Sequence, residues 1–242
     1  MATIDELTHM QRVLAVRLHQ AGAIMDRRTR AKNNPDGLGF RLKLHEKQPD
    51  APLSPYFLNL RTPENPKPGP LTPDIIGVAA GLMLDIVQQL GLEYQCIAGV
   101  PNAGDPFAEA IVALHSPGTV SLIKLGKAEG AEGRQVIGII SGEFKRGDAC
   151  LVVDDLITQA NSKLEALRAL DEAGLRVMQV VVLVDREQGG AVQLADHGID
   201  LLAAYQLSTL FELYRQQGLM PEEIFAEAMA YLQQEKAATQ RA

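Results

Sequence analysis

Residues 151–162 read Leu-Val-Val-Asp-Asp-Leu-Ile-Thr-Gln-Ala-Asn-Ser, and this stretch predicts the fold of the chain. Its apolar start is typical of a strand buried on both faces, and helical periodicity follows from about residue 161 to residue 173. Asp154 and Asp155 come where the predicted strand ends, and a turn rich in hydroxyl and amide side chains leads into the helix. Because ligands of parallel α/β sheets bind at the carboxyl ends of strands, we expect a binding site here.

The same alternation of strand and helix extends in both directions along the chain. Apolar runs predict strands at residues 96–100, 120–125, 136–141, 149–153, 177–184 and 201–207. The helices between and after them are predicted at residues 72–90, 105–115, 161–173, 191–197 and 221–236. This order predicts an α/β fold with a mostly parallel central sheet that is flanked by helices.

The N-terminal part has a different pattern. It predicts a helix over residues 4–21, then a strand from Phe40 whose hairpin partner begins at Tyr56. Residues 62–73 hold five prolines and predict a loop. We therefore divide the chain into an N-terminal helix and hood at residues 1–70, a core at 71–220 and a C-terminal helix at 221–242.

Composition limits the classes of function. The 242 residues are 46% hydrophobic and carry a net charge of −7, which opposes a general role in binding nucleic acid or anionic membranes. Cys96 and Cys150 lie in apolar runs, so we expect buried thiols and no disulfide. The sequence predicts neither a transmembrane helix nor a signal peptide, and we expect a cytoplasmic protein.

The acid pair, Asp154 and Asp155, suits a phosphorylated ribose. Carboxylates accept hydrogen bonds from the hydroxyls of a cis-diol. The backbone amides of the following turn, the hydroxyls of Thr158 and Ser162, and the positive end of the helix favour a phosphate dianion. An alternative is a solvated loop in which Ser162 and Glu165 form a helix capping box.

Residues 151–162 resemble the phosphoribosyl pyrophosphate signature of type I phosphoribosyltransferases. The resemblance implies that the acid pair holds the ribose hydroxyls and that the turn holds the 5′-phosphate. The implied turn ligands are Thr158, Gln159, Ala160, Asn161 and Ser162. The family usually has Thr-Gly-Gly-like residues where this chain has Gln159, Ala160 and Asn161. We expect Asn161 to take the positive φ that glycine takes cheaply.

Further segments resemble the orotate phosphoribosyltransferases. Residues 183–190 read Leu-Val-Asp-Arg-Glu-Gln-Gly-Gly, and the resemblance implies that Arg186 binds orotate with its planar fork of donors. In the hood, it implies contacts of Lys43 with pyrophosphate or base and of Phe57 with the orotate ring. The family usually has a second aromatic residue where this chain has Leu58. Residues 97–104 resemble the pyrophosphate loop, with backbone contacts from Pro101, Asn102 and Ala103.

Residues 126–135 are glycine-rich and charged, and they predict a mobile loop. The segment 124–130 resembles the family loop that closes over the active site, and Lys127 matches its lysine. Lys124 matches one of two preceding basic residues, while Glu129 stands where the family has histidine. Each preorganised donor that is lost from such a site slows reaction by roughly 10²-fold, so a slow enzyme is one expectation.

The resemblance implies transfer of ribose 5-phosphate from phosphoribosyl pyrophosphate to orotate, with Asp155, Lys124 and Lys127 as the catalytic residues. It also implies a homodimer and a Mg²⁺ ion held mainly by substrate oxygens, so no protein metal site is predicted. Two alternatives remain open. One is a phosphoribosyltransferase for another base, and the other is a regulator that binds phosphoribosyl pyrophosphate without turnover.

Overall fold

A computed structural model of the protein describes residues 4–42, 45, 49–130 and 133–239. A six-stranded sheet forms its centre, in the strand order β5-β4-β3-β6-β7-β8. These strands are β3 (Cys96–Gly99), β4 (Ser121–Gly130), β5 (Gly133–Ser141), β6 (Ala149–Ile157), β7 (Arg176–Asp185) and β8 (Asp200–Gln206). Only the pairing of β4 with β5 is antiparallel, so the predicted fold class is confirmed.

Helices cover both faces of the sheet. They are α1 (His9–Gln20), α2 (Pro73–Gln89), α3 (Asp105–Ala113), α4 (Asn161–Glu172), α5 (Gly190–Ala195), α6 (Leu207–Gln216) and α7 (Glu222–Thr239). Leu151 and Val153 of β6 join the core beneath α1, α2, α3, α6 and α7. Cys150 and Val152 face the opposite core beneath α4 and α5. Side chains of β6 therefore alternate between two apolar layers, which explains its continuous hydrophobic run.

Local sequence signals predict both ends of α2 correctly. Thr72 precedes α2 as its N-cap and Pro73 occupies the first helical position. Gly91 follows with a φ of 62°, a backbone conformation that favours glycine. The predicted N-terminal helix instead divides into a short 3-10 turn at Ile4–Glu6 and α1, because Thr8 and Gln11 form a capping box that starts a new helix.

Helix α6 was not predicted. It begins directly after β8, with no glycine or proline to separate the two elements, and its buried residues include Phe211 and Tyr214. Since aromatic and apolar residues continue across the boundary, the sequence shows one long apolar stretch in which the change of period is hidden.

The predicted N-terminal hairpin is wrong. Strand β2 (Tyr56–Leu58) pairs antiparallel with β1 (Ile24–Asp26), while Phe40 forms only an isolated bridge with Ser54. A strand of three residues is too short to show alternation, so β1 leaves little signal in the sequence. Leu44, which belonged to the predicted strand, lies outside the described residues.

The expected loop at residues 126–135 is also corrected. Lys127 pairs with Val136 and Ala128 with Gln135, so residues 126–130 and 133–135 belong to the paired strands β4 and β5. Residues 131 and 132 of the predicted loop lie outside the described residues. Gly126 lies opposite Gly138. Glycine and charge favour a loop in sequence, but antiparallel pairing joins backbones and does not require apolar side chains.

The two cysteines are free and buried, as predicted. They are also register partners on the neighbouring strands β3 and β6. Burial raises the pKa of the Cys96 thiol to about 11. Among the described residues, no helix is long and apolar enough to cross a membrane.

Candidate functional site

A cavity of about 1200 Å³ opens at the carboxyl ends of β6 and β7. Four predicted site residues line it, namely Phe57, Thr158, Gln159 and Arg186. Arg61, Lys67, Gln188 and Glu235 also line it and were not predicted. The cavity therefore joins the central sheet to the N-terminal segment and to α7.

The acid pair lies in β6 itself and not in the turn after the strand. Asp154 and Asp155 are both about 5% exposed, because β6 continues to Ile157. This contradicts the alternative of a solvated loop. Lys163 of α4 is equally buried, and its Nζ lies 2.5 Å from Oδ2 of Asp154. The same Nζ donates to the carbonyl of Leu156 at 2.6 Å. Since a buried charge needs a partner, the pair of Asp154 and Lys163 stabilises the end of β6.

Asp155 has a different electrostatic environment. Burial raises the pKa of its carboxyl, and the neighbouring negative charge of Asp154 raises this pKa further. Lys163 and Arg61 act in the opposite direction. Oδ1 of Asp155 accepts a hydrogen bond from the amide of Leu156 at 2.8 Å. Asp155 is therefore a carboxyl whose charge depends on the cations that approach it.

The turn of residues 158–162, which we call the β6 turn, adopts no left-handed backbone. Ala160 has a φ of −82°, and Asn161 is the first residue of α4. The expectation that Asn161 takes positive φ is therefore wrong. The capping box is also absent from the described contacts of α4: Ala160 is the N-cap, and Glu165 accepts from the amide of Val136 at 3.2 Å. The Ala160 amide donates to Oε1 of Gln193 at 2.7 Å.

The turn of residues 186–189, which we call the β7 turn, lies beside the β6 turn, and hydrogen bonds of its first residue and of the residue after it join it to this region. The amide of Arg186 donates to the carbonyl of Ile157 at 2.9 Å, and the amide of Gly190 donates to that of Thr158 at 3.0 Å. A Cβ atom at residue 190 would meet Ile157 at 2.5 Å, so this approach requires glycine. These hydrogen bonds and the close packing of Gly190 fix the distance between the β6 turn and the β7 turn.

Glu187 is the one non-glycine residue in the described part of the chain with a positive φ, at 59°. Its two carboxylate oxygens hold this conformation. One accepts from Nζ of Lys236 at 2.7 Å and the other from the amide of Ser208 at 2.8 Å. Asp185 binds the Glu187 amide at 2.7 Å. The β7 turn is thus shaped by contacts from α6 and α7.

Arg186 points into the cavity between Tyr56 and α7. Its guanidinium carbon lies 5.7 Å from the centre of the Tyr56 ring, within the range of a cation–π contact. Nη2 lies 3.8 Å from Oε2 of Glu235. The Nε atom is buried and has no hydrogen-bond partner within the described residues. Since an unpaired buried donor is costly, Arg186 is prepared to bind an acceptor group.

Glu235 also binds the neighbours of Arg186. Its Oε2 accepts from the hydroxyl of Tyr56 at 2.9 Å and from the amide nitrogen of Gln188. Glu235 therefore connects β2, the β7 turn and α7 at one carboxylate.

Phe57 forms an apolar wall of the cavity. It is half-buried and stacks on Phe40, with ring centroids 5.6 Å apart. Its neighbour Leu58 is buried in the core and also contributes to the cavity lining. Lys43, the other predicted hood residue, lies outside the described residues.

The loop of residues 100–104 packs against the end of β6. The amide of Val100 donates to the carbonyl of Val153 at 2.8 Å, and a Cβ atom at Gly104 would meet that carbonyl at 2.3 Å. Nζ of Lys127 donates to the carbonyl of Pro101 at 2.6 Å, which brings the hairpin to this loop. The following residue, Asp105, is sufficiently buried that its pKa rises to about 6.

Lys124 is not brought to the cavity in this chain. Its Nζ pairs with Glu109 at 2.6 Å, and its side chain is 44% exposed. Asn102 and Ala103 lie in the 100–104 loop beside Pro101, and the peptide bond between Pro101 and Asn102 is cis.

The proline-rich segment after β2 has a defined path. The amide of Leu71 donates to the carbonyl of Arg61, and the amide of Gly69 to that of Thr62. A side chain at Gly69 would collide with Arg61, since a Cβ atom would lie 2.3 Å from its carbonyl oxygen. This closed loop places Arg61 and Lys67 at the cavity, where they add positive charge.

Sequence reasoning missed Lys163, Arg61 and Glu235. Lys163 carried a signal, because a lysine two residues into a helix that follows two buried acids suits an ion pair. Arg61 and Glu235 carried none, since their approach depends on contacts between distant segments.

Known proteins resemble this chain in sequence and in fold. Residues 72–197 match the phosphoribosyl transferase domain family. An orotate phosphoribosyltransferase from Thermococcus gammatolerans is 31% identical over 159 residues, which cover 66% of this chain and 78% of that protein. The chain belongs to the orotate phosphoribosyltransferase family. The predicted family is therefore confirmed.

Longer relatives contain a similar region. Uridine 5′-monophosphate synthase from Bos taurus is 28% identical over 182 residues, covering 75% of this chain and 35% of that protein. The structure of the Leishmania donovani UMP synthase superposes with a TM-score of 0.69 at 28% identity, covering 93% of this chain and 42% of that one. The chain thus spans about a third to two fifths of these two relatives.

Proposed function

We propose that this phosphoribosyltransferase transfers ribose 5-phosphate from phosphoribosyl pyrophosphate to N1 of orotate, giving orotidine 5′-monophosphate and pyrophosphate. One observation carries the proposal. The β6 turn and Arg186 of the β7 turn open into one cavity, and the Arg186 amide donates to the carbonyl of Ile157, the residue directly before the β6 turn. A ribose phosphate on the first turn would therefore hold its anomeric carbon toward a base on the second.

The β6 side binds the donor in this proposal. Backbone amides of the β6 turn other than that of Ala160, which donates to Gln193, bind the 5′-phosphate at the start of α4 together with the hydroxyls of Thr158 and Ser162. Asp155 accepts a hydrogen bond from a ribose hydroxyl, and Arg61 supplies a cation near it. Asp154 already pairs with Lys163, so its part in ribose binding is to keep Asp155 in place.

The β7 side binds the acceptor. Arg186 offers its planar donors to the pyrimidine, and Phe57 lies along the base. The N-terminal segment, predicted at residues 1–70, thus supplies the base-binding wall. Lys43 completes this wall in the proposal.

The leaving pyrophosphate lies between the 100–104 loop and the β4–β5 hairpin. Pro101, Asn102 and Ala103 line its path, and Lys127 neutralises the charge that develops as the bond to the ribose breaks. Lys127 donates to Pro101 in the present arrangement, so it must exchange that carbonyl for a phosphate oxygen. Lys124 is proposed to join it from the exposed base of the hairpin.

Mg²⁺ is the expected cofactor. The described residues contain no cluster of three or more His, Cys, Asp or Glu side chains suited to a metal ion. In this proposal the ion would arrive on the oxygens of phosphoribosyl pyrophosphate and keep several waters. We further propose a homodimer in the cytoplasm.

Orotate consumption tests the function. The protein is mixed with phosphoribosyl pyrophosphate, Mg²⁺ and orotate, and the loss of orotate absorbance is followed together with pyrophosphate release. We expect orotate-dependent release that falls by about 10²-fold in Lys127→Ala, because a leaving-group donor is removed. Lys145→Ala, which changes an exposed lysine, should keep the wild-type rate.

Two other results would replace the proposal. Turnover of another base but not of orotate would indicate a different phosphoribosyltransferase. Binding of phosphoribosyl pyrophosphate without turnover of any base would indicate a regulator.

A further inference from the structure

The acceptor side of the cavity already contains a carboxylate of the protein. Glu235 of α7 and the carboxylate of an anionic pyrimidine would both face Arg186. Arg186 and Glu235 side chains are only 15% and 20% exposed, so water screens their interaction weakly. This arrangement affects the affinity of the site for different acceptors and products.

The two carboxylates would share one edge of the guanidinium group. A planar carboxylate binds arginine through two parallel N–H groups, and Nε with Nη2 forms one such pair. Glu235 approaches Nη2 at 3.8 Å, which is beyond hydrogen-bond distance, while Nε has no partner within the described residues. Glu235 therefore offsets the positive charge at this edge of Arg186, but it accepts no hydrogen bond from Nε or Nη2.

Glu235 does not leave this position easily. The Tyr56 hydroxyl and the side-chain amide of Gln188 both donate to its Oε2. The helix that carries it is anchored by the next residue, since Lys236 binds Glu187 at 2.7 Å. A carboxylate that enters the cavity therefore meets a second carboxylate held in place.

We propose that Glu235 is a specificity-determining residue of the acceptor site, which weakens the binding of pyrimidines that carry a carboxylate relative to those that do not. This inference rests on the proposed function. Its physical basis is repulsion between like charges in a site of low water content. Glu235 would then promote release of the carboxylated product.

Nucleotide binding tests this directly, because two nucleotides differ only in the group concerned. Orotidine 5′-monophosphate carries the carboxylate, whereas uridine 5′-monophosphate lacks it, and both present the same ribose phosphate to the β6 turn. Their dissociation constants are measured by calorimetry on wild type and Glu235→Gln. Glutamine keeps an oxygen that accepts from Tyr56 and Gln188, so the substitution removes charge and little else.

We expect Glu235→Gln to bind orotidine 5′-monophosphate about 10-fold more tightly, which corresponds to roughly 1.4 kcal/mol. Binding of uridine 5′-monophosphate should change by less than about 2-fold. Glu235→Ala should shift the ratio of the two constants in the same direction. Glu227→Gln makes the same change on the same helix away from the cavity, and it should leave the ratio as in wild type.

An unchanged ratio in both Glu235 variants, or weaker binding of orotidine 5′-monophosphate, would overturn the inference. The latter result would show that Glu235 orients Arg186 for its ligand. If wild type turns over orotate while the ratio stays unchanged, only the role of Glu235 fails. If wild type neither turns over orotate nor binds either nucleotide, the proposed function fails and the inference fails with it.

Discussion

The donor side and the acceptor side of the cavity are built from different kinds of contact. On the donor side, Lys163 binds Asp154 and Leu156, which lie seven to nine positions earlier in one strand–turn–helix unit. On the acceptor side, Glu235 binds Gln188 and Tyr56, which lie 47 and 179 positions away. The ion pair of the donor side is local in the chain, whereas the contacts of Glu235 join three distant segments.

This difference separates two properties of the site. In the proposed reaction, the donor side would bind a group that every phosphoribosyltransfer shares, and its acid pair and turn lie within one local unit. The acceptor side would decide which base is used, and it is shaped by β2 and α7, which lie outside the matched region at residues 72–197. Acceptor preference can therefore change through α7 while the donor side stays intact.

Breaking the local ion pair should have the largest effect on stability. Lys163→Met leaves the Asp154 carboxylate buried without its cation, and we expect a loss of about 3–5 kcal/mol in the free energy of unfolding. Urea denaturation measures it, with Lys145→Met at an exposed site as the control. Adding Asp154→Asn to Lys163→Met should restore much of the loss, because the uncompensated charge is removed. A loss below about 1 kcal/mol in the single variant would contradict the buried pairing.

The same substitution on the acceptor side should cost less. Lys236 is 32% exposed, and Glu187 keeps the Ser208 amide when this lysine is removed. We therefore expect Lys236→Met to lower the free energy of unfolding by roughly 1 kcal/mol in the same urea experiment. If it costs as much as Lys163→Met, the contrast between local and long-range pairing is lost.

A pH effect on the donor side should be no larger. Burial raises the pKa of Asp105 to about 6 from 3.8, so the folded state retains a proton that the unfolded chain has released. Stability should therefore decrease as pH rises from about 4 to about 6. Asp105→Asn removes this decrease. The free energy of unfolding of the variant, relative to that of wild type, should be roughly 1 kcal/mol higher at pH 7 than at pH 4, after allowance for solvent screening.

Thermal and urea unfolding at several pH values measure this difference. Asp200→Asn provides the control at an exposed position. Parallel stability curves for Asp105→Asn and wild type would show that the carboxyl is hydrated in the folded protein.

The fold was predictable where information is local. The strands of the parallel sheet follow from apolar runs such as residues 177–184, and α2 follows from Thr72, Pro73 and Gly91. Helix α6 was missed because its apolar residues continue those of β8 without a break. The pairing of residues 126–130 with residues 133–138 was missed because these glycine-rich and charged segments pair through the backbone.

The candidate site divides in the same way. Asp154, Asp155 and Thr158 could be predicted as site residues because one short stretch contains them, and Arg186 because its turn follows a clear strand. The structure places Thr158 and Arg186 at the cavity. The pairing of β2 with β1 and the approach of Arg61 to Asp155 depend on how the chain folds back on itself. No spacing in the sequence encodes the distance from Glu235 to Arg186.

The contact between α7 and the β7 turn also orders events in time. A ribosome makes the chain from its N-terminus, so the strand–turn–helix unit that carries Asp154 and Lys163 is available well before residue 235 is added. The two acids can therefore be buried and paired while Arg186 still lacks Glu235. Under the proposed function, the residues that hold the ribose phosphate would therefore be synthesised before the residue that we propose to discriminate between acceptors.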